Sequence, residues 1–181
     1  MPGLKDELWS RLREARAVMM TRLDGLSEFD RRRPMTPSGT NLLGLVKHLA
    51  GEEYGYLGET FARPPAQPPT WFRDDPFTEI DLWATPDESS EYIVEVYKEA
   101  AAHADETIRQ LDLDSPGRVP HRSEDQRTTL SSMLVLMVGE TAQHAGHADI
   151  VRELIMAAGS GDVKGSGDRF AQAQAAADRF R

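Results

Sequence analysis

The chain has 181 residues, a length typical of one domain with its own hydrophobic core. Its 30 acidic and 21 basic residues give a formal net charge of −9, which argues against a nucleic-acid-binding surface. The lack of cysteine excludes a disulfide scaffold, a cysteine nucleophile and cysteine-ligated metal sites. The first residues are charged where a signal peptide is apolar, and no apolar run is long enough to cross a membrane, so we expect a cytoplasmic protein.

Helical periodicity appears first in residues 4–26, where leucine, alanine and methionine recur at three- and four-residue steps with polar residues between them. This spacing predicts an amphipathic first helix of about six turns. The run Arg31–Arg33 and the proline after it end the helix, and we expect the three arginines to lie in a solvated loop. A second helix over 41–61 follows turn and capping residues at 36–40 and ends at the prolines of 64–69.

The connection over residues 63–85 is long and rich in proline and aromatic residues. Loops of this length in compact domains are usually functional or disordered, and aromatic side chains favour packing because they offer apolar area to bury. We therefore expect the connection to pack across one end of the helices. Its aromatic residues are Trp71, Phe72, Phe77 and Trp83.

Two more long helices are predicted in the second half of the chain. The third starts at Thr85, where the sequence Thr-Pro-Asp-Glu forms a capping box, and its apolar stripe continues to Leu111. The fourth extends from about Thr129 to Ala158, and a linker of small residues separates it from a short, weakly anchored helix over 172–181. No segment alternates convincingly as a strand does.

Together these elements predict an all-α fold, a four-helix bundle formed by residues 1–158 with one long crossover loop. Residues 159–181 are expected to form a flexible linker and the short C-terminal helix. The spacing alone does not fix the topology of the bundle.

Ionisable side chains on the apolar stripes are informative, because a bundle buries those stripes. His48 lies on the stripe of the second helix, and Glu140 and His144 lie one turn apart on that of the fourth. Two imidazoles and one carboxylate from facing helices would form a three-ligand site that suits zinc, nickel, iron or manganese and leaves positions open for water or substrate. A buried Glu–His hydrogen-bond network is an equally good interpretation. His103 and His121 have no such partners in the pattern, and we expect them to be ordinary packed residues.

Several common catalytic motifs are absent. The chain has no HExxH motif of zinc proteases and no Glu-x-x-His pair of ferritin-like di-iron bundles. It also lacks a P-loop, a dinucleotide-binding glycine motif at the start of a helix, and the GxSxG turn of serine hydrolases. A metal site and a structural network therefore remain the two interpretations of the polar residues.

Two segments, NLLGLVKHLAGEEYGYLGETF and GETAQHAGHADIVREL, resemble the DinB/YfiT-like superfamily. They are most similar to its actinobacterial, mycothiol-dependent branch, which includes maleylpyruvate isomerase, and the resemblance extends over residues 1–158. It implies a four-helix bundle that binds a divalent metal ion, zinc by preference, with His48, Glu140 and His144 as the ligands. Many relatives have histidine where this chain has Glu140 and glutamine where it has His147, whereas the isomerase branch shares the glutamate.

The resemblance also implies an activity. Members of known activity are thiol S-transferases or thiol-dependent isomerases that use low-molecular-weight thiols such as mycothiol or bacillithiol, and a homodimer is expected. The mycothiol-dependent isomerase has an additional C-terminal domain, whereas about 23 residues follow the fourth helix here, so we expect thiol transfer to a small electrophile. A metal-dependent hydrolase, in which the metal activates water, and a non-catalytic metal-binding or small-molecule-binding protein remain the alternatives.

This mechanism assigns roles to further residues. A divalent cation lowers the pKa of a coordinated thiol, and a protein without cysteine needs that thiol as a cosubstrate. His147 as a fourth ligand would close a tetrahedral site, so we place it beside the metal as a catalytic hydrogen-bond partner or proton carrier. Trp71, Phe72 and Trp83 should cover the metal end and line the electrophile pocket, with ordinary packing as the alternative. The expected partners are these small molecules, without nucleic acid or membrane.

Overall fold

A computed structural model of the chain describes residues 3–73, 79–120, 127–158 and 164–181. Four long helices form the predicted all-α bundle: α1 (Leu4–Thr21), α3 (Leu42–Tyr56), α4 (Ser90–Gln110) and α5 (Leu130–Ala158). Two shorter helices, α2 (Glu28–Arg32) and α6 (Asp168–Asp178), pack against each other. Single 3₁₀ turns follow α3 at Glu59–Phe61, Thr70–Arg73 and Ile80–Leu82. Within the described residues, no helix is both long and apolar enough to span a membrane.

The bundle core consists of two clusters of buried apolar side chains. Helix α5 packs against α1 and α3, and α4 packs against α3, so each long helix buries one stripe. The larger cluster includes Met19, Leu42, Leu49, Ile93 and Val151. The other includes Leu12, Leu57, Ile108, Leu134 and Met137. Burial of each such side chain contributes about 1.5–3 kcal/mol, so these stripes account for the association of the four helices.

Several helix boundaries differ from the prediction. The first helix ends at Thr21 instead of continuing to residue 26, because Gly25 turns the chain with a φ of 71° and the separate helix α2 begins after it. The third helix begins at Ser90, with Ser89 as its N-cap, and not at Thr85. The second ends at Tyr56 and is followed by a 3₁₀ turn.

The predicted capping box at Thr85–Glu88 forms a turn before α4 rather than its first turn. The N–H of Thr85 donates to Glu88 Oε2 at 2.7 Å, as in a capping box, but the same carboxylate oxygen accepts from Lys47 Nζ at 2.8 Å. Since Lys47 is fully buried in α3, this ion pair binds the turn to the bundle. The sequence pattern identified the local hydrogen bond correctly and the start of the helix wrongly.

Two other expectations need correction. A short antiparallel pair joins Pro116–Arg118 to Arg127–Thr129, and strands of three residues are too short to show alternation in a sequence. The C-terminal helix starts at residue 168 rather than 172 and is not weakly anchored, because it buries Ala173, Ala176 and Ala177. The linker residues 159–163 lie outside the described residues.

The arginines before Pro34 do not lie in a solvated loop, because Arg32 and Arg33 are each only 2% exposed. The guanidinium of Arg32 donates to the carboxylate of Glu28 and to the backbone carbonyl of Thr85, the latter at 3.0 Å. It therefore binds α2 to the segment that leads into α4. The sequence displays the charge of Arg32 but not its bond to the carbonyl of Thr85, which lies 53 positions away.

Glu28 completes this connection. Its Oε1 accepts hydrogen bonds from Arg32 Nε at 2.8 Å and from the backbone N–H of Ser90, the first residue of α4, at 3.1 Å. Burial by itself raises the pKa of Glu28, but these hydrogen bonds and the positive charge of Arg32 outweigh it and lower the pKa below its usual value. The ionised carboxylate is therefore the form that stabilises the fold.

We expect the substitution Glu28→Gln to lower the free energy of unfolding at neutral pH by about 2 kcal/mol, the contribution typical of hydrogen bonds to a charged group. Because the folded-state pKa lies below the unfolded value, this stabilisation is present at neutral pH and is lost as pH falls through the folded-state pKa. Urea denaturation at pH values from about 7 down to about 3.5 should show the two proteins converging.

The matched control is Glu14→Gln, which removes an exposed ion pair with Arg11 and should change stability by less than about 0.5 kcal/mol. A difference between the Glu28 variant and the wild type that stayed constant over the whole pH range would contradict the assignment.

Candidate metal centre

Helix α3 carries His48, and Asn41 is its N-cap. The side chain of Asn41 also binds the connection to α4. Asn41 Oδ1 accepts a hydrogen bond from the backbone N–H of Gly44 at 2.7 Å, as an N-cap does. The amide nitrogen of the same side chain donates to the backbone carbonyl of Leu82 at 3.2 Å. One side chain therefore fixes both the start of α3 and the position of the 3₁₀ turn at residues 80–82.

Gly44 allows this turn to approach α3 closely. A Cβ atom at Gly44 would lie 2.0 Å from the carbonyl oxygen of Leu82, so only glycine permits the approach. The preceding residue, Asp81, then lies beside His48, which is one helical turn after Gly44. His48 Nδ1 donates a hydrogen bond to Asp81 Oδ2 at 2.6 Å. The close approach at Gly44 thus supplies His48 with a carboxylate partner.

The structure brings together the three side chains that the helical stripes singled out. Oε1 of Glu140 lies 2.9 Å from Nε2 of His144 and 3.7 Å from Nε2 of His48. The ligand atoms of the three residues all lie within 4.8 Å of one another, and each residue is half-buried. The rings of His48 and His144 meet edge to face, with centroids 5.0 Å apart.

The chemistry of these donors suits a divalent cation. Nδ1 of His48 is bound to Asp81, and Nδ1 of His144 lies 3.4 Å from Nδ1 of His147, so each imidazole presents Nε2 to Glu140. Histidine ligands in metalloproteins are commonly oriented in this way, by a hydrogen bond from the second ring nitrogen. Two imidazole nitrogens and one carboxylate oxygen are also ligands that zinc and related metals accept. The residues present therefore fit a divalent metal ion.

The two histidines have opposite pKa shifts. Burial by itself lowers the pKa of His48, but the hydrogen bond to Asp81 and the negative charges of Glu52, Asp81 and Glu140 outweigh it and raise the pKa. Burial lowers the pKa of His144, and the neighbouring His48 lowers it further, against the opposing effect of Glu140. His144 therefore favours the neutral form, which is the form that ligates metal.

His147 lies at the edge of this group and does not belong to it. Its side chain is exposed, and its ring contacts that of His144 with centroids 5.4 Å apart. His147 is not among the residues whose ligand atoms lie within 4.8 Å of one another. The structure therefore places it next to one of the three residues, on the solvent side.

Two cavities adjoin the three residues. The first, of about 350 Å³, reaches His48 and Asp81, and the second, of about 460 Å³, reaches His144 and His147. Leu82 lines both cavities and so forms part of the wall between them. Volumes of this size are typical of sites for small molecules.

The aromatic residues of the 63–85 connection divide between two roles. Trp71 and Phe72 line the first cavity together with His48, and their role at an electrophile stays a prediction. Trp83 is absent from the lining of both cavities, so its predicted place in the pocket wall is not what the structure shows. Its backbone carbonyl instead accepts a hydrogen bond from the buried Lys47 at 3.1 Å. Phe77 lies outside the described residues.

Sequence reasoning missed Asp81. It lies 33 residues after His48, in a connection without helical periodicity, so no spacing rule relates the two. Glu52, in contrast, follows His48 by one helical turn, so a spacing rule does relate the two, and it lines the first cavity. His103 is packed as expected, with Nε2 donating to the carbonyl of Arg63 at 2.7 Å, and His121 lies outside the described residues.

Comparisons with known proteins support the fold and show the family. A solved structure titled as a conserved protein from Enterococcus faecalis shares the fold, with a TM-score of 0.63 and 14% sequence identity, over 87% of this chain and 99% of that one. No protein in the curated set matches significantly. The family model described as mycothiol S-transferase matches residues 7–157, a range that contains all three candidate ligands. The chain therefore belongs to the mycothiol S-transferase family.

Proposed function

We propose that this protein is a divalent-metal-dependent thiol S-transferase that joins mycothiol, or a closely related thiol, to a small electrophile. The observation that carries the proposal is the convergence of His48, Glu140 and His144 within 4.8 Å, beside two cavities of small-molecule size. Membership of the mycothiol S-transferase family supports the thiol as cosubstrate. The absence of cysteine supports it as well, because the reacting sulfur must then come from outside the chain.

His48, Glu140 and His144 would hold the cation, through two Nε2 atoms and a carboxylate oxygen. A bound divalent cation lowers the pKa of a thiol that coordinates it, so that the nucleophilic thiolate is available near neutral pH. Asp81 keeps the ring of His48 in one orientation and in the Nδ1–H tautomer. His144 is kept neutral by burial and by its neighbour, which favours ligation.

In the transfer step, the sulfur electron pair forms a bond to the electrophilic carbon. If the electrophile carries a leaving group, that group departs with its bonding pair; if it is an activated double bond, the carbanion formed takes up a proton. In this proposal His147 would accept the thiol proton and release it to solvent or to that carbanion. The contact of its ring with His144 and its place in the lining of the second cavity support this role.

The experiment that tests the function compares the protein as purified, after chelation, and after reconstitution with zinc, with and without mycothiol. We expect one metal ion per chain by elemental analysis, and turnover that requires both metal and thiol. His144→Ala should lose the metal and the activity while its helical circular dichroism is unchanged. His103→Ala, which removes a histidine outside the site, is the control that should keep the metal.

Turnover of the same electrophile without any thiol would instead indicate water activation and a hydrolase. Unchanged metal content in His144→Ala would show that the ligand assignment is wrong.

The roles of Glu140 and His147 can be separated by paired substitutions. His147→Gln should retain the metal and change turnover or its pH dependence, because His147 contacts a ligand without being one of the three. Glu140→Gln should weaken metal binding, since it removes the anionic donor. Metal loss in His147→Gln with Glu140→Gln still loaded would reverse the two assignments.

Asp81→Asn tests the residue that orients His48. The amide remains able to accept a hydrogen bond, but it lacks the charge that makes the imidazole a better donor, so metal affinity should fall about 10-fold to 100-fold. Competition with a chelator measures the affinity. Asp87→Asn, an exposed change in the turn before α4, should leave the metal affinity unchanged. An Asp81 variant with wild-type affinity would remove Asp81 from the site.

A further inference from the structure

The wall of the second cavity is mostly apolar, with a few polar groups around it. Its apolar lining residues are Leu45, Leu82, Ile150 and Val151. Its polar lining residues are Thr36, Thr40, Asn41, His144, His147 and Arg169. A largely apolar wall with a few placed polar groups is typical of a site that binds and orients a small organic molecule.

Arg169 reaches this cavity from the first turn of α6, a helix that lies outside the 7–157 range matched by the family model. Its Nε donates to the backbone carbonyl of Ser38 at 2.6 Å, and its Nη1 lies 3.3 Å from Oε1 of Glu79. The side chain is only 20% exposed. These contacts hold the guanidinium at the cavity instead of leaving it in solvent.

The helix that carries Arg169 is itself fixed. Helix α6 buries three alanines and packs on α2, and the ring of Phe180 near its end lies over the guanidinium of Arg32, 4.5 Å away. At its start, the backbone of Phe170 lies so close to Gly39 that a Cβ there would be 3.1 Å from the Phe170 nitrogen. The position of Arg169 is therefore set by packing on both sides.

The two cavities differ in charge. Among the residues that the structure describes, Glu52, Glu79 and Asp81 line the first cavity, and no lysine or arginine does. The described lining of the second cavity includes Arg169 and no carboxylate. On a chain with a net charge of −9, Arg169 gives the second cavity a guanidinium, which Glu79 pairs on one side, whereas three carboxylates line the first cavity. The two cavities therefore discriminate between ligands by their charge. An anionic group is favoured in the second cavity and disfavoured in the first.

We propose that the second cavity binds the electrophile, that this electrophile has an apolar body and an acidic group, and that Arg169 is the residue that selects the acidic group. The first cavity, with Trp71 and Phe72, is then left for the thiol rather than for the electrophile. That the bound molecule is the electrophile rests on the proposed function. Recognition of an apolar acid by Arg169 does not depend on turnover. Arginine suits this role because its planar guanidinium bonds a carboxylate through two N–H groups.

Binding is tested first, with two unreactive probes of the same shape: 3,5-dinitrobenzoate and its neutral counterpart 3,5-dinitrobenzamide. Calorimetric titration of the purified protein should give an affinity about 10-fold or more higher for the acid, as expected for a hydrogen-bonded charge pair. Arg169→Gln should lose this preference by weakening binding of the acid alone, and Arg169→Lys should keep part of it. Arg179→Gln removes the same charge from an exposed position directly after the same helix and should change neither affinity.

Three results would overturn the proposal: equal affinity of the wild type for both probes, an acid preference that survives in Arg169→Gln, or equal weakening of both probes in that variant. The last result would mean that Arg169 only supports the fold of α6. Arg169→Lys keeps the test valid if the glutamine variant fails to fold, because it retains the stem and the charge.

Turnover of 4-chloro-3,5-dinitrobenzoate then separates this proposal from the proposed function. In that reaction a C–S bond forms, chloride leaves with the electron pair of the C–Cl bond, and the thiol proton passes to solvent. Acid-selective binding that depends on Arg169, without thiol transfer, would leave this proposal standing and contradict the function. The opposite outcome is thiol transfer with the same kcat/KM for this acid and for the corresponding amide, in both the wild type and Arg169→Gln. That result would support the function and contradict this proposal.

Discussion

The candidate site depends on one close backbone contact, the approach of the Leu82 carbonyl to α3 at Gly44. The approach is only open to glycine, and Asn41 reinforces it with a hydrogen bond to the same carbonyl. It places Asp81 beside His48 and puts Leu82 between the two cavities. Without it, His48 would lack its carboxylate partner, and the cavities would share no such wall.

Buried charges bind the residues that follow this contact in the chain. Lys47 binds the Trp83 carbonyl and the carboxylate of Glu88, and Arg32 binds the carbonyl of Thr85. These cations lie on two different helices, so the segment from residue 80 to residue 88 is bound to the bundle along its whole length. Buried cations without such partners would be strongly destabilising, which explains why residues 80–88 stay against the bundle.

The sequence was sufficient where interactions are local. Helical periodicity gave the four long helices, and a four-residue spacing placed Glu140 and His144 on one face, because both depend only on the geometry of the α-helix. It was not sufficient for three contacts between distant positions. Asp81 binds His48 across 33 positions, Arg32 binds Thr85 across 53, and Arg169 binds Ser38 across 131. Such contacts depend on how the connections fold back on the helices, and a single sequence carries no spacing signal for that.

The central claim is that His48, Glu140 and His144 hold a divalent metal, with His147 beside them. X-ray absorption spectroscopy at the zinc edge, on the protein reconstituted with zinc, tests it most directly because it counts imidazole ligands without requiring turnover. We expect two imidazole nitrogens and additional oxygen ligands at about 2.0–2.2 Å, with a spectrum that is unchanged in His147→Gln. Three imidazoles in the wild type, or none, would contradict it.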